Sequence, residues 1–199
     1  MMDVVLIDAG GANIGSVRYA LERLGVNARF SADANDIASA DRVVLPGVGA
    51  AAAGMARLRE LGLVDCVRSL RQPLLGVCLG MQLLFESSEE GEVDCLGLLP
   101  GRVRKLPGAP GLRVPHMGWN TLERVADDAL VDRIDDGSHA YFVHSYAAPV
   151  TDDTIATCTH GERFAAVVRR GRHMGAQFHP ERSADVGARV LENFLKVPA

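Results

Sequence analysis

One pentapeptide constrains this chain more than any other stretch: Gly76-Val77-Cys78-Leu79-Gly80. The apolar run Pro73-Leu74-Leu75 precedes it, and Met81-Gln82-Leu83-Leu84-Phe85-Glu86, made mostly of strong helix formers, follows. The pattern predicts a strand, a sharp turn and a helix over 81–86, with the cysteine on the turn. Glycines two residues either side of it let the backbone bend tightly and let neighbouring elements approach. This is the cysteine form of the G-x-S-x-G nucleophile elbow. Such a turn exposes the thiol and aims the following N–H groups, led by that of Leu79, at the same spot. It also sets the sulfur at a helix N-terminus, where the thiolate is favoured. A small buried hydrophobe at a strand end fits the pentapeptide as well.

A strand that ends in an elbow needs a sheet to belong to. Val4 to Asp8 is a near-continuous apolar run, as in a parallel strand covered on both faces. Asn13 stands where a helix cap belongs, and Ile14, Val17, Leu21 and Leu24 mark one helical face before Gly25. Strands are expected over 27–31 and 42–45, the latter ending at Pro46-Gly47-Val48-Gly49, with helices over 50–61 and 63–71. This alternation predicts an α/β fold: an open, doubly wound, mostly parallel sheet with helices on both faces. Sites in such sheets lie beyond the C-terminal strand ends. Pro46–Gly49 and Gly76–Gly80 both fall there.

After Ser88 the pattern changes. Glu89-Glu90-Gly91-Glu92 reads as an exposed, solvated acidic turn. Short strand-like pieces follow over 96–99, 102–106, 121–125, 140–146, 154–159, 164–169 and 173–178, read as antiparallel strands added to the sheet. A last helix is expected over 184–196, with Val186, Val190, Leu191, Phe194 and Leu195 on one face. With 199 residues, no repeat and no linker, one domain is expected.

A formal charge of −4 argues against nucleic acid or a membrane surface as partner, and no apolar run approaches a membrane span. The N-terminal run reads as a strand rather than a signal peptide, so cytoplasm is the expected location. Cys66, Cys78, Cys95 and Cys158 have no C-x-x-C spacing, which argues against zinc and against disulfides. His116, His139, His144, His160 and His173 show no metal-ligand spacing, and no metal is expected.

The second half of a site is His179-Pro180-Glu181. In extended backbone, residues two apart point the same way, so His179 and Glu181 can lie side by side. A carboxylate there fixes the tautomer of the histidine and stabilises its imidazolium. Cys78 and His179 would both sit at C-terminal ends of strands of one sheet, and a Cys–His pair in reach makes an activated thiolate. Two glycines around Val48 give backbone N–H groups able to help bind an oxyanion, though a plain β-turn explains them equally well.

With these residues assembled, the chain resembles the class I, triad-type glutamine amidotransferases over essentially its whole length. Within that family three stretches are similar to the glutaminase subunits of imidazole glycerol phosphate synthase: Leu45-Pro46-Gly47-Val48-Gly49, Pro115-His116-Met117-Gly118-Trp119-Asn120 and Tyr141-Phe142-Val143-His144-Ser145-Tyr146. The resemblance implies Cys78 as nucleophile, His179 as base and acid, and Glu181 as its orienting partner. It implies oxyanion donors at Val48 and Leu79, and a glutamine pocket lined by Gly49, Gln82, Ser145 and Tyr146. Asn13, Trp119, Tyr141 and Arg182 would face a partner, a (β/α)₈-barrel cyclase subunit that uses the ammonia in histidine biosynthesis. No organic cofactor is implied. One departure is Asp8-Ala9-Gly10-Gly11-Ala12-Asn13, where the family carries Asp-Tyr-Gly and then Gly-Asn. Rival readings are another glutaminase subunit of the family (pyridoxal phosphate, anthranilate or carbamoyl phosphate synthesis), a non-catalytic binding subunit of the same fold, and a stand-alone cysteine hydrolase.

Overall fold

The computed structural model describes residues 2–10 and 14–198. In chain order it contains β1 (Val4–Ile7), α1 (Ile14–Arg23), β2 (Ala28–Ser31), α2 (Ala34–Ser39), β3 (Arg42–Gly47), α3 (Ala51–Glu60), α4 (Val64–Ser69), β4 (Leu74–Cys78) and α5 (Leu79–Gln82). The C-terminal half adds β5 (Ser87–Ser88), β6 (Val93–Asp94), β7 (Arg102–Lys105), β8 (His116–Thr121), β9 (Glu123–Arg124), β10 (His139–His144), β11 (Tyr146–Ala147), β12 (Thr154–His160), β13 (Glu162–Arg170), β14 (His173–Ala176) and α6 (Ala184–Lys196). Asn13, read as a cap and as a partner contact, lies outside the described residues.

The main sheet has eight strands in the order β2-β1-β3-β4-β14-β13-β12-β9. The pairs from β2 to β14 are parallel; from β14 outward they are antiparallel. Side chains alternate across a strand, and β1 shows the consequence. Val4 and Leu6 pack with Val17 and Leu21 of α1 and with Val190, Leu191 and Phe194 of α6. Val5 and Ile7 pack on the other face with Ile37 of α2, Met55 and Leu58 of α3 and Val67 of α4. Helices therefore cover both faces of the sheet, as the apolar β1 predicts. Among the described residues no helix is long and apolar enough to cross a membrane.

Not all the added strands join this sheet. β8 and β10 pair only with each other, and β11, β7, β5 and β6 form a four-stranded sheet of their own. The strand expected over 140–146 breaks at Ser145, whose carbonyl accepts the Leu106 N–H at 2.9 Å. The helix expected over 81–86 is a single turn, Leu79–Gln82, and no strand forms over 96–99. One cause explains both differences. The carbonyls of Leu83, Leu84 and Phe85, which a longer helix would use, accept N–H groups from Leu96, Gly97, Leu98 and Leu99 at 2.8–2.9 Å.

Candidate active site

β4 delivers Cys78 to the C-terminal edge of the sheet, and the chain turns there sharply. Cys78 has φ 54° and ψ −112°, a conformation that costs a non-glycine residue energy and clusters at functional sites. The flanking glycines are needed for close approach. A Cβ on Gly80 would collide with the Leu45 carbonyl, and one on Gly76 would lie 2.6 Å from the Gly80 carbonyl oxygen. Because α5 is a single turn, its macrodipole adds little beside Cys78.

β14 lies beside β4, in parallel, and carries the chain to His179 next to the elbow. His179 Nδ1 is 3.0 Å from Glu181 Oε1, with both side chains almost wholly out of solvent. Burial alone would lower the His179 pKa. Hydrogen bonds to Cys78 and to Glu181, together with the charges of both, raise it instead to about 10. The proton therefore rests on the imidazole at neutral pH, the state a thiolate partner requires. The turn that holds His179 is pinned from two sides. His179 N–H donates to the Tyr141 carbonyl at 2.9 Å, and the buried Ser183 hydroxyl donates to the His179 carbonyl at 2.7 Å while accepting the Tyr141 N–H at 2.9 Å. Ser183 was not singled out in the sequence, where a serine four residues past a histidine carries no signal.

A cavity of about 360 Å³ opens over Cys78 and His179, within the range of small-molecule sites. Its walls include Val48, Gly49, Leu79, Gln82, Ser145 and Tyr146, so all six residues assigned from the sequence to the oxyanion hole and glutamine pocket meet at one space. Gly47 is fixed in β3 opposite Cys78, and a Cβ there would meet the Gly80 nitrogen at 2.9 Å. Freedom in this stretch is thus confined to Val48, which is exposed, and Gly49, which has φ 94° and open space around it.

The acidic turn is not a simple solvated loop. Glu90 lines the cavity, and its Oε2 accepts the Ala51 N–H of α3 at 2.8 Å. It brings a negative charge that complements an ammonium group. Gln82 offers the cavity only an acceptor, because its Nε2 donates both hydrogens elsewhere, to the Tyr146 carbonyl at 2.7 Å and to Gln177 Oε1 at 3.0 Å. Gln177 is wholly buried, and its Nε2 lies 3.9 Å from Cys78 Sγ. Two residues before His179, it could have been found by the same spacing that linked His179 to Glu181.

Behind the cavity three histidines pack with Phe142 and Phe164. Burial, then the field of His160, lowers the pKa of His116 to about 4. His144 falls to about 3, with burial again the main cause. Cys95 and Cys158 are buried, and burial raises their thiols to about 11 and about 12. Burial also raises the pKa of the half-buried Cys66. None of these three lines the cavity, as Cys78 does. Among the described residues, no group of three or more His, Cys, Asp or Glu could hold a metal ion.

Beside the cavity the three described residues expected to meet a partner form one patch. Trp119 (54% exposed) opposes Tyr141 across the β8–β10 pair, edge to face at 5.8 Å. The Arg182 guanidinium lies over the Tyr141 ring at 4.4 Å, and Met117 on β8 is 64% exposed.

Comparison with known proteins points to one family. The family described as Glutamine amidotransferase class-I matches residues 5–197. A protein of Xanthomonas campestris pv. campestris described as imidazole glycerol phosphate synthase subunit HisH is 63% identical over 197 residues, covering 99% of this chain and 98% of its own. Its namesake from Xylella fastidiosa is 59% identical over the full length of both. A crystal structure of a glutamine amidotransferase superposes with a TM-score of 0.75 at 21% identity, over 97% of each chain, which speaks to the fold.

Proposed function

The chain belongs to the class I glutamine amidotransferase family, and we propose that it is the glutaminase of an imidazole glycerol phosphate synthase, with Cys78, His179 and Glu181 as its catalytic residues. Its activity is that of the family: ammonia is released from the side-chain amide of L-glutamine. Glutamine occupies the cavity over Cys78, with its α-ammonium towards the Glu90 carboxylate. The Cys78 thiolate attacks the amide carbon, and the oxyanion that forms is met by backbone N–H groups of Val48 and Leu79. His179 gives its proton to the departing nitrogen, and ammonia leaves a thioester. Water then attacks the thioester carbon, losing a proton to His179, and the carbon–sulfur bond breaks to free glutamate and the thiolate. Covalent catalysis divides one difficult amide cleavage into two easier steps. Glu181 stabilises the imidazolium through both steps. The patch of Met117, Trp119, Tyr141 and Arg182 docks a cyclase subunit, which takes up the ammonia in the cytoplasm.

The observation that carries this reading is geometric: His179, its Nδ1 3.0 Å from Glu181 Oε1, lines the same cavity as Cys78. Its test is Cys78→Ala in the complex with the cyclase. Glutamine-dependent synthesis should fall by orders of magnitude while synthesis from ammonium salts persists. Glutamine-dependent turnover near the wild-type rate would overturn the assignment.

A further inference from the structure

We propose that Gln177 is a positioning residue for the nucleophile, its side-chain amide turned by Gln82 and the Tyr146 carbonyl so that an N–H faces Cys78 Sγ. The direction of this chain follows from one fixed point. A backbone carbonyl only accepts, so the Gln82 atom 2.7 Å from the Tyr146 oxygen is its nitrogen. That nitrogen therefore donates to Gln177, and the Gln177 atom 3.0 Å away is its oxygen. The other end of the Gln177 amide, 3.9 Å from the sulfur, is then the Nε2 donor. No other orientation of the two amides satisfies all three contacts.

Burying a polar amide where an apolar side chain would pack costs free energy unless its partners are met. Gln177 is 0% exposed and lies two residues before His179, just past β14, so its N–H reaches the sulfur from the segment that carries that histidine. An N–H held there stabilises negative charge on sulfur and fixes its approach to the cavity. The neighbouring acceptor for a neutral thiol, the Val143 carbonyl at 3.8 Å, lies on β10. Gln177 thus biases the sulfur towards the attacking form without touching substrate.

This role presupposes Cys78 as the nucleophile, and the experiment separates the two. Gln177→Met fills the same space without a donor; Gln177→Asn keeps an amide in the core but withdraws it by one methylene. Each full-length variant is alkylated with iodoacetamide, and the rates at Cys78 and Cys66 are read by mass spectrometry. Glutamine hydrolysis is measured in the complex with the cyclase. Alkylation at Cys78 should slow about tenfold, the size of one hydrogen bond to a charged group, with Cys66 unchanged. The kcat should fall by a similar factor, with KM within about twofold. A faster Cys66 in the Met variant would mean lost packing, and the Asn variant then decides. Wild-type alkylation of Cys78 in a folded variant, or a loss confined to KM, overturns the positioning role. Retained glutaminase activity in Cys78→Ala overturns the nucleophile reading instead.

Discussion

Histidines in this site are driven in opposite directions by surroundings a few ångströms apart. His179 has a carboxylate and a cysteine as partners and keeps its proton; His144 and His116 have carbonyl and imidazole partners and lose theirs. His144 Nδ1 is 2.8 Å from the Tyr146 carbonyl, so it carries the hydrogen, and its Nε2 must accept from His116 Nδ1 at 3.1 Å. His116 Nε2 then accepts from Asn120 Nδ2 at 3.3 Å. Every tautomer is set, and a second proton on either ring would leave two donors facing each other. Both groups bind protons more readily unfolded, where a histidine titrates near 6.5. The unfolded state therefore takes up protons first as pH falls, so their contribution is complete above about pH 6.5. It is lost as pH drops towards about 4 for His116 and about 3 for His144. Each histidine alone should cost up to about 1.4 kcal/mol of stability per pH unit across that window. Urea unfolding between pH 7 and pH 4.5 should show the decline. The ring resonances of both should not titrate between pH 7.5 and pH 5; a midpoint near 6.5 for either would contradict the neutral chain.

At the scale of elements, the site is made where α6 meets the turn after β14. Gly187, in the first turn of α6, packs so closely that a Cβ would collide with the Pro180 carbonyl. Gly187→Ala gains helix propensity of about 1 kcal/mol but must move backbone at the residue joining His179 to Glu181, and overpacking typically costs about 1–3 kcal/mol. The collision is with main chain, so it should win: lower thermal stability together with a reduced kcat for glutamine. Gly15→Ala in α1, whose Cβ would meet only the Tyr19 side chain at 3.8 Å, should raise stability instead, by up to about 1 kcal/mol. Equal melting shifts for the two would show that the contact at Pro180 yields freely. Much of this architecture was legible in local pattern. Apolar runs marked β1, β3 and β4, glycine spacing marked the elbow, and a clear apolar face marked α6 over 184–196. What pattern missed was set by distant partners. Residues 83–86 look helical, yet their carbonyls serve residues 95–99. β8 escaped notice because its run, His116 to Thr121, holds Gly118 at φ 135° and turns Met117 and Trp119 outward without a buried alternation. Ser183 and Glu90 were invisible as site residues because their roles arise from contacts across the fold.

For the molecule as a whole, the cavity and the aromatic patch are mechanically joined. The patch residue Tyr141 gives its carbonyl to His179 and its N–H to Ser183, and Arg182 both stacks on Tyr141 and lines the cavity. A partner seated on Trp119 would therefore press on the strand that holds His179. Across the cavity, Val48 and Gly49 are the least restrained part of the site. A peptide turned away from the developing oxyanion would remove one donor, which costs roughly 2.7–4 kcal/mol, or about 10²–10³ in rate. A complete triad can thus stand nearly silent until a partner favours the productive orientation through its differential affinity for that state. Glutamine hydrolysis should accordingly rise from the chain alone, to the chain with the cyclase, to the complex with the cyclase's own substrate, and mainly in kcat. Trp119→Ala ties this to the patch. The side chain is mostly exposed, so the isolated variant should fold and retain the slow basal hydrolysis. Its affinity for the cyclase should fall at least about 30-fold, as for an interface anchor worth about 2 kcal/mol or more, with the partner's activation returning only at saturating concentration. Equal kcat in all three states of the wild-type chain would refute the switch and favour an independent hydrolase, and wild-type affinity in Trp119→Ala would move the docking face elsewhere.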